Sequence, residues 1–168
     1  MNLVVGEVGQ MPSTRAAALE RVIIRSPPKE ADELRIISGV LFLSQYSSLH
    51  RLYPVETLIQ RVAPTLKLDQ FLYYTDPQGA PVAFCNWAWL NASVLKEVLT
   101  TGRDLCADEF ACGGLPFFYE FLAPFGHCRK VVRVLRNLPF LKGRCIPAIR
   151  GEVYRDDPYL PRIQYFQF

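Results

Sequence analysis

Along this chain the spacing of apolar positions changes several times, and each change marks an element. From Glu30 to about Gln45, EADELRIISGVLFLSQ places apolar residues roughly every three to four positions, which predicts a helix. Leu34, Ile37, Leu41 and Ser44 form one stripe of it, widened by Ile36, Val40 and Leu43. YSSLHRLYP then loses the helical period and ends in a proline, so it reads as a loop carrying His50. A lone histidine in such a loop is expected to be exposed. VETLIQRVA follows as a second helix, with Pro54 near its first turn and an end around Pro64.

The period then shortens. FLYYT and VAFCNWAWL read as strands, and DPQGAP between them is a turn, so the pair predicts a hairpin. Asn91 caps a helix through SVLKEVL that stops at Gly102. FFYEFLA is a further strand, closed by Pro124 and Gly126. HCRKVVRVLRNL is an amphipathic helix with Val131, Val132, Leu135 and Leu138 on one side and Arg129, Arg133 and Arg136 on the other. RCIPAIR and RIQYFQF supply the last strands. Residues 1–29 read as an N-terminal appendage, with Ser13 capping a short helix, TRAAALERVIIR, ended by Pro27 and Pro28. Residues 30–168 then form one domain of the α/β (α+β) class, a single mixed sheet flanked by helices.

Composition narrows this further. The 168 residues are half apolar and 21% charged, which suits one packed core and excludes a disordered chain. No apolar run approaches the roughly 18–20 residues of a membrane span, so stable membrane insertion is not expected. The start, MNLVVGEVGQMPSTR, lacks a basic region leading into an apolar one, and a cytoplasmic location is expected. Five cysteines without a CxxC make a poor disulfide framework, and most are expected to be small buried apolar groups. Cys106, Cys112, His127 and Cys128 match no familiar zinc spacing, so no metal is expected.

The net charge of +3 hides an asymmetry. No acidic residue lies between Glu120 and Glu152, while Arg129, Lys130, Arg133, Arg136, Lys142, Arg144 and Arg150 all do. A one-sign patch on a nearly neutral protein suits an acidic or phosphorylated partner, and equally a solvated face with counter-charges from elsewhere in the fold. Nucleic acid fits it poorly, because KVVRVLRNL has no interleaved aromatics.

There is no P-loop, no Rossmann glycine fingerprint and no G-x-S-x-G elbow. The junction APFGHCRK offers a helix N-terminus beside Arg129 and Lys130, a place for phosphate. Glu120 sits in the apolar strand FFYEFLA and, by alternation, shares a face with Phe118 and Leu122. A carboxylate there must be paired or catalytic. Were it to meet His50, the two would form a base and its orienter.

SSLHRLYPV (47–55), PVAFCNWAWL (81–90) and EFLAPFG (120–126), with RNLPFLKGRCIPAIR behind them, resemble the RTX toxin-activating lysine acyltransferases, which include the hemolysin-activating enzyme. The resemblance covers roughly residues 34–150. It implies a fold similar to the GNAT-type N-acetyltransferases, and transfer of a fatty acyl group from acyl carrier protein to internal lysines of a protoxin. It puts the family's catalytic histidine at His50, its nearby serine at Ser47 and its catalytic aspartate at Glu120, one methylene longer. A homodimer is among the assemblies it allows.

On that reading His50 takes the proton as the lysine amine attacks the thioester, and Glu120 holds the other ring nitrogen. Backbone N–H groups near Asn86 and Trp87 are expected to stabilise the oxyanion. Arg129, Lys130 and Arg133 are expected to bind acyl carrier protein, whose phosphopantetheine thioester is the donor substrate; no bound cofactor is expected. An acyl-enzyme on Ser47, His50 or a cysteine is a second route. The rivals are an acyltransferase acting on a small peptide or metabolite, and a non-catalytic module that binds acyl carrier protein.

Overall fold

The computed structural model describes residues 20–22, 30–150 and 162–168. Among these residues six strands form one sheet in chain order: β1 (Glu20–Val22), β2 (Phe71–Thr75), β3 (Pro81–Leu90), β4 (Leu115–Leu122), β5 (Cys145–Arg150) and β6 (Arg162–Gln167). All neighbours are antiparallel except β4 and β5, which run parallel. Parallel neighbours need a crossover, and helix α4 (Cys128–Leu135) lies within it. The class is therefore α+β with a mixed sheet, as expected. Within the expected TRAAALERVIIR helix, Glu20–Val22 instead pairs with the free edge of β2. A strand edge offers this short piece hydrogen bonds that outweigh a weak local helical preference. The rest of that expected helix and its Ser13 cap lie outside the described residues.

Helix α1 (Glu30–Gln45) has the predicted bounds, and Ile36, Val40 and Leu43, expected to widen its stripe, are buried together with Ser44. Leu34 is 64% exposed, and Ile37 and Leu41 instead line an apolar groove against Leu58, Ile59 and Val62 of α2 (Val55–Lys67). Gly39 is what lets α1 settle on the sheet: a Cβ there would collide with the Tyr73 hydroxyl. Helix α2 runs through Pro64 rather than ending at it. An interior proline costs about 3 kcal/mol. Burying side chains such as Val62 and Leu66 contributes about 1.5–3 kcal/mol each and offsets that. Helix α3 (Ala92–Thr101) starts where Asn91 Oδ1 accepts the Val94 N–H at 2.9 Å and ends at Gly102, whose φ is 72°.

Alternation along the strands sorts the core onto the two faces of the sheet. Phe71, Tyr73, Phe84 and Leu122 pack under α1 and α2. Leu72, Tyr74, Cys85, Trp87 and Phe118 pack with Val131 and Leu135 of α4. The alternation breaks once in β4. Asn86 pairs with Glu120 and Trp87 with Phe118, so two adjacent residues of β3 face three of β4, and Tyr119 is the extra one. Glu120 therefore shares its face with Leu122 but not with Phe118. The strict-alternation expectation fails there because a bulge resets the phase.

Candidate active site

After α1 the chain tightens through successive turns, with Ser47 N–H donating to Ser44 and Arg51 N–H to Ser47, both at 3.1 Å. His50 opens a 3-10 turn, His50–Leu52, and is only 6% exposed. The exposed loop histidine expected from sequence is thus a buried one, because these turns fold its ring inward. The ring stands edge-on to Tyr53, with centroids 5.4 Å apart.

Glu120, 5% exposed, comes from the middle of the sheet to meet it. Its Oε2 lies 2.8 Å from His50 Nε2, although the two are 70 residues apart in the chain. The opposite ring nitrogen, Nδ1, lies 2.6 Å from Ser47 Oγ. Oε1 accepts a hydrogen bond from Arg61 Nη1 at 2.7 Å. With a carboxylate oxygen as its acceptor, Nε2 carries the ring hydrogen, and Nδ1 turns a lone pair toward the Ser47 hydroxyl.

Arg61 was not among the residues singled out from sequence. Its guanidinium lies 4.8 Å from the centre of the Tyr53 ring and 5.3 Å from that of Tyr119, and its Nη2 is ion-paired with Asp104. Burial alone would lower its pKa, but the charge and hydrogen bond of Glu120 outweigh that and raise it. Burial first, and then other contacts including Asp104, raise the Tyr119 phenol, and burial followed by Glu120 raises Tyr53. At neutral pH the guanidinium is therefore a fixed cation beside two neutral phenols. The Tyr119 hydroxyl also donates to Asp104 at 3.1 Å and accepts the Leu105 N–H at 3.1 Å.

Asn86, fully buried, ties these elements together. Its Nδ2 donates to the Arg61 carbonyl at 3.0 Å and to Thr65 Oγ1 at 3.1 Å, and its Oδ1 accepts the Glu120 N–H at 2.8 Å. The expected oxyanion donors fail at this point. The Trp87 N–H already donates to the Gln70 carbonyl, and Asn86 is closed off inside a central strand.

Arg129, Lys130 and Arg133 are exposed on α4, on the opposite face of the sheet from His50. The structure does not bring them into the His50–Glu120 contact. Aromatic contacts reach toward the gap: the Phe125 ring, just before α4, has its centroid 5.1 Å from that of Tyr46, the neighbour of Ser47, and 6.5 Å from that of Phe42. Among the cysteines only Cys85 is buried, while Cys106, Cys128 and Cys145 are exposed, against the expectation of buried thiols. Among the described residues no His, Cys, Asp and Glu side chains group to hold a metal ion.

Comparison with known proteins decides what this site belongs to. The model of the RTX toxin acyltransferase family matches residues 29–167. The chain belongs to the RTX toxin acyltransferase family. It is 39% identical over 135 residues to a lysine-acyltransferase of Vibrio cholerae, covering 79% of this chain and 88% of that one. A leukotoxin-activating lysine-acyltransferase of Mannheimia haemolytica is 27% identical over 122 residues, 66% of this chain and 72% of the relative. An RTX-I toxin-activating lysine-acyltransferase of Actinobacillus pleuropneumoniae is 29% identical over 109 residues, 65% and 63%. Among solved structures, a malonyl-CoA decarboxylase from Agrobacterium vitis covers 79% of this chain and 32% of its own at 23% identity. Its TM-score of 0.39 is too low to argue from. As a member of the RTX toxin acyltransferase family the chain is an acyltransferase, and no helix among its described residues is long and apolar enough to cross a membrane.

Proposed function

We propose that this acyltransferase moves a fatty acyl group from acyl carrier protein to internal lysines of a protoxin, with His50 as the base and Glu120 as its orienter. The observation that carries the reading is the buried 2.8 Å contact between His50 Nε2 and Glu120 Oε2. It leaves Nδ1 as the nitrogen that moves a proton. A lysine amine, with a reference pKa of about 10.4, is mostly protonated at neutral pH and needs such a base. As the amine attacks the thioester carbonyl, a C–N bond forms, its proton passes to Nδ1, and the C–S bond breaks. The imidazolium, held by Glu120, then returns the proton to the leaving thiolate. Because Ser47 Oγ stands at Nδ1, its hydroxyl relays that proton.

The same 2.6 Å contact favours a second reading. Ser47 Oγ attacks the thioester while its proton passes to Nδ1, the thiol leaves, and the lysine amine then takes the acyl group from the serine ester. Arg129, Lys130 and Arg133 suit an acidic carrier docking on α4, with its phosphopantetheine arm entering past Phe125 and Tyr46.

The test is to incubate the protein with carrier proteins loaded with chains of different length and with lysine-bearing acceptors, and to read the products by mass spectrometry. Acylated lysine is expected, and His50→Gln, which keeps volume in a buried position, should lower turnover by about 10²–10⁴-fold. Carrier binding without transfer would reduce the protein to a binding module, and transfer only to small amines would make the acceptor a peptide or metabolite. A Ser47→Ala variant that keeps full turnover excludes the serine ester. An acyl mass on the intact wild-type chain that is absent from that variant establishes it.

A further inference from the structure

Glutamate has three rotatable side-chain bonds, and a hydrogen bond to His50 alone leaves its carboxylate free to turn about the last of them. The second oxygen therefore decides where the first one points. It is held by Arg61 Nη1 at 2.7 Å, and Arg61 is itself tied through its other terminal nitrogen and its backbone, while its buried Nε has no hydrogen-bond partner. The guanidinium carbon lies over the Tyr53 and Tyr119 rings, Asp104 pairs with its other terminal nitrogen, and Asn86 donates to its backbone carbonyl. The bulge at Tyr119 matters here, because it lets a ring and a carboxylate, consecutive in sequence, face the same arginine.

We propose that Arg61 is a positioning residue for the transfer step: it holds Oε1 of Glu120 so that Oε2 stays on His50 Nε2 and Nδ1 stays free to take a proton. The role belongs to the planar fork and not only to its charge. A lysine would supply the cation but not the rigid pair of donors that reaches Glu120 and Asp104 together. The kinetic part of this inference rests on the acyl-transfer reading, and the spectroscopic part does not.

Three proteins decide it: wild type, Arg61→Lys and Arg61→Met, each checked for folding by circular dichroism and thermal melting. The chain has two histidines, so a His127→Gln background leaves His50 as the single ring in a ¹⁵N spectrum. Wild type should show Nε2 as the protonated nitrogen, with an exchange-protected proton. In Arg61→Met that proton should broaden or shift and kcat should fall about 100-fold, with KM for both substrates nearly unchanged. Arg61→Lys should fold as wild type does yet recover neither the spectrum nor the rate. A wild-type His50 spectrum in folded Arg61→Met overturns the inference. So does full recovery of spectrum and kcat by Arg61→Lys, which would reduce Arg61 to a neutralising charge. If wild-type protein transfers no acyl group, the functional reading fails, and the spectra alone still decide whether Arg61 sets the His50–Glu120 geometry.

Discussion

Under α1 and α2, a buried imidazole and a buried carboxylate meet a part-buried guanidinium, and all three are linked by contacts within the chain, the guanidinium Nε alone lacking a hydrogen-bond partner. On the other face of the sheet, α4 turns Arg129, Lys130 and Arg133 to solvent, with no acid in its own first turn. Burial is costly for charge unless it is paired, so the pairing of His50, Glu120 and Arg61 restricts how the first face can arrange its groups. The exposed face carries no such constraint. It attracts an acidic surface over a distance of about 8 Å at physiological salt without fixing any one geometry. On the proposed function the difference would separate two tasks, since proton transfer needs atoms held in place and carrier docking needs a field.

The sharpest way to break this contrast is at Glu120. Glu120→Gln puts an amide between Arg61 and His50, leaves the guanidinium without its buried counter-charge, and can stabilise the wrong tautomer. Transfer should slow by about 10⁴-fold, the scale seen when an orienting carboxylate becomes an amide. Stability should fall too, by about 3 kcal/mol, as when one partner of a buried pair is removed. Glu120→Asp keeps the charge but is one methylene too short to reach both partners from the same backbone, so activity should be reduced and measurable. Full turnover in Glu120→Gln, by progress curves at saturating donor, would make Glu120 a structural carboxylate only.

A smaller effect is expected across the sheet. Reversing Arg129, Lys130 and Arg133 to Glu should raise the donor KM and flatten its dependence on salt, while kcat at saturation and the melting temperature stay near wild type. An unchanged donor KM would assign the patch to another partner.

The smallest effect tests the surface beside Asp104. Arg103 donates to both oxygens of Glu109 at 2.7 Å, and Cys106 N–H adds a third bond at 2.8 Å. The Arg103 hydrogen bond is the main cause that lowers the Glu109 pKa from 4.5 to about 2. A carboxyl depressed on folding stabilises the protein above its unfolded pKa and loses that contribution as pH falls through the folded one. Glu109→Gln should therefore melt slightly below wild type at pH 7, with the gap closing between pH 4.5 and about 2. A gap that persists at the acid end, in melts across that range, would point to lost packing instead of charge.

What the sequence disclosed follows the range of the forces involved. Helix α1, the β2–β3 hairpin, the Asn91 cap and the Gly102 stop rest on neighbours a few residues apart, and the structure has them where local pattern puts them. Of the wide apolar stripe on α1, Ile36, Val40, Leu43 and Ser44 are buried and Leu34 is not, because an amphipathic period leaves two overlapping faces and only the position of Tyr73 and α2 selects between them. His50 and Glu120 could be paired from resemblance alone, since nothing local to either residue specifies a contact across 70 positions. Arg61 was missed as an ordinary polar residue of α2. Its signal was present: Leu58, Arg61, Val62, Thr65 and Leu66 share one face, and an arginine on an otherwise buried stripe requires a buried acid. The bulge had no signal, because LPFFYEFL alternates as well in either phase.

That bulge also sets how the chain can change by descent. A single-codon deletion at Tyr119 would leave Trp87 opposite Phe118 and Asn86 opposite Glu120, so both ladders could close again in the same register. The carboxylate would stay on its face, while the aromatic wall beside Arg61 and the hydroxyl's bonds to Asp104 and Leu105 would go. A central strand, normally intolerant of insertion or loss, thus carries one position where the chain can be lengthened or shortened without turning its chemistry to the wrong side.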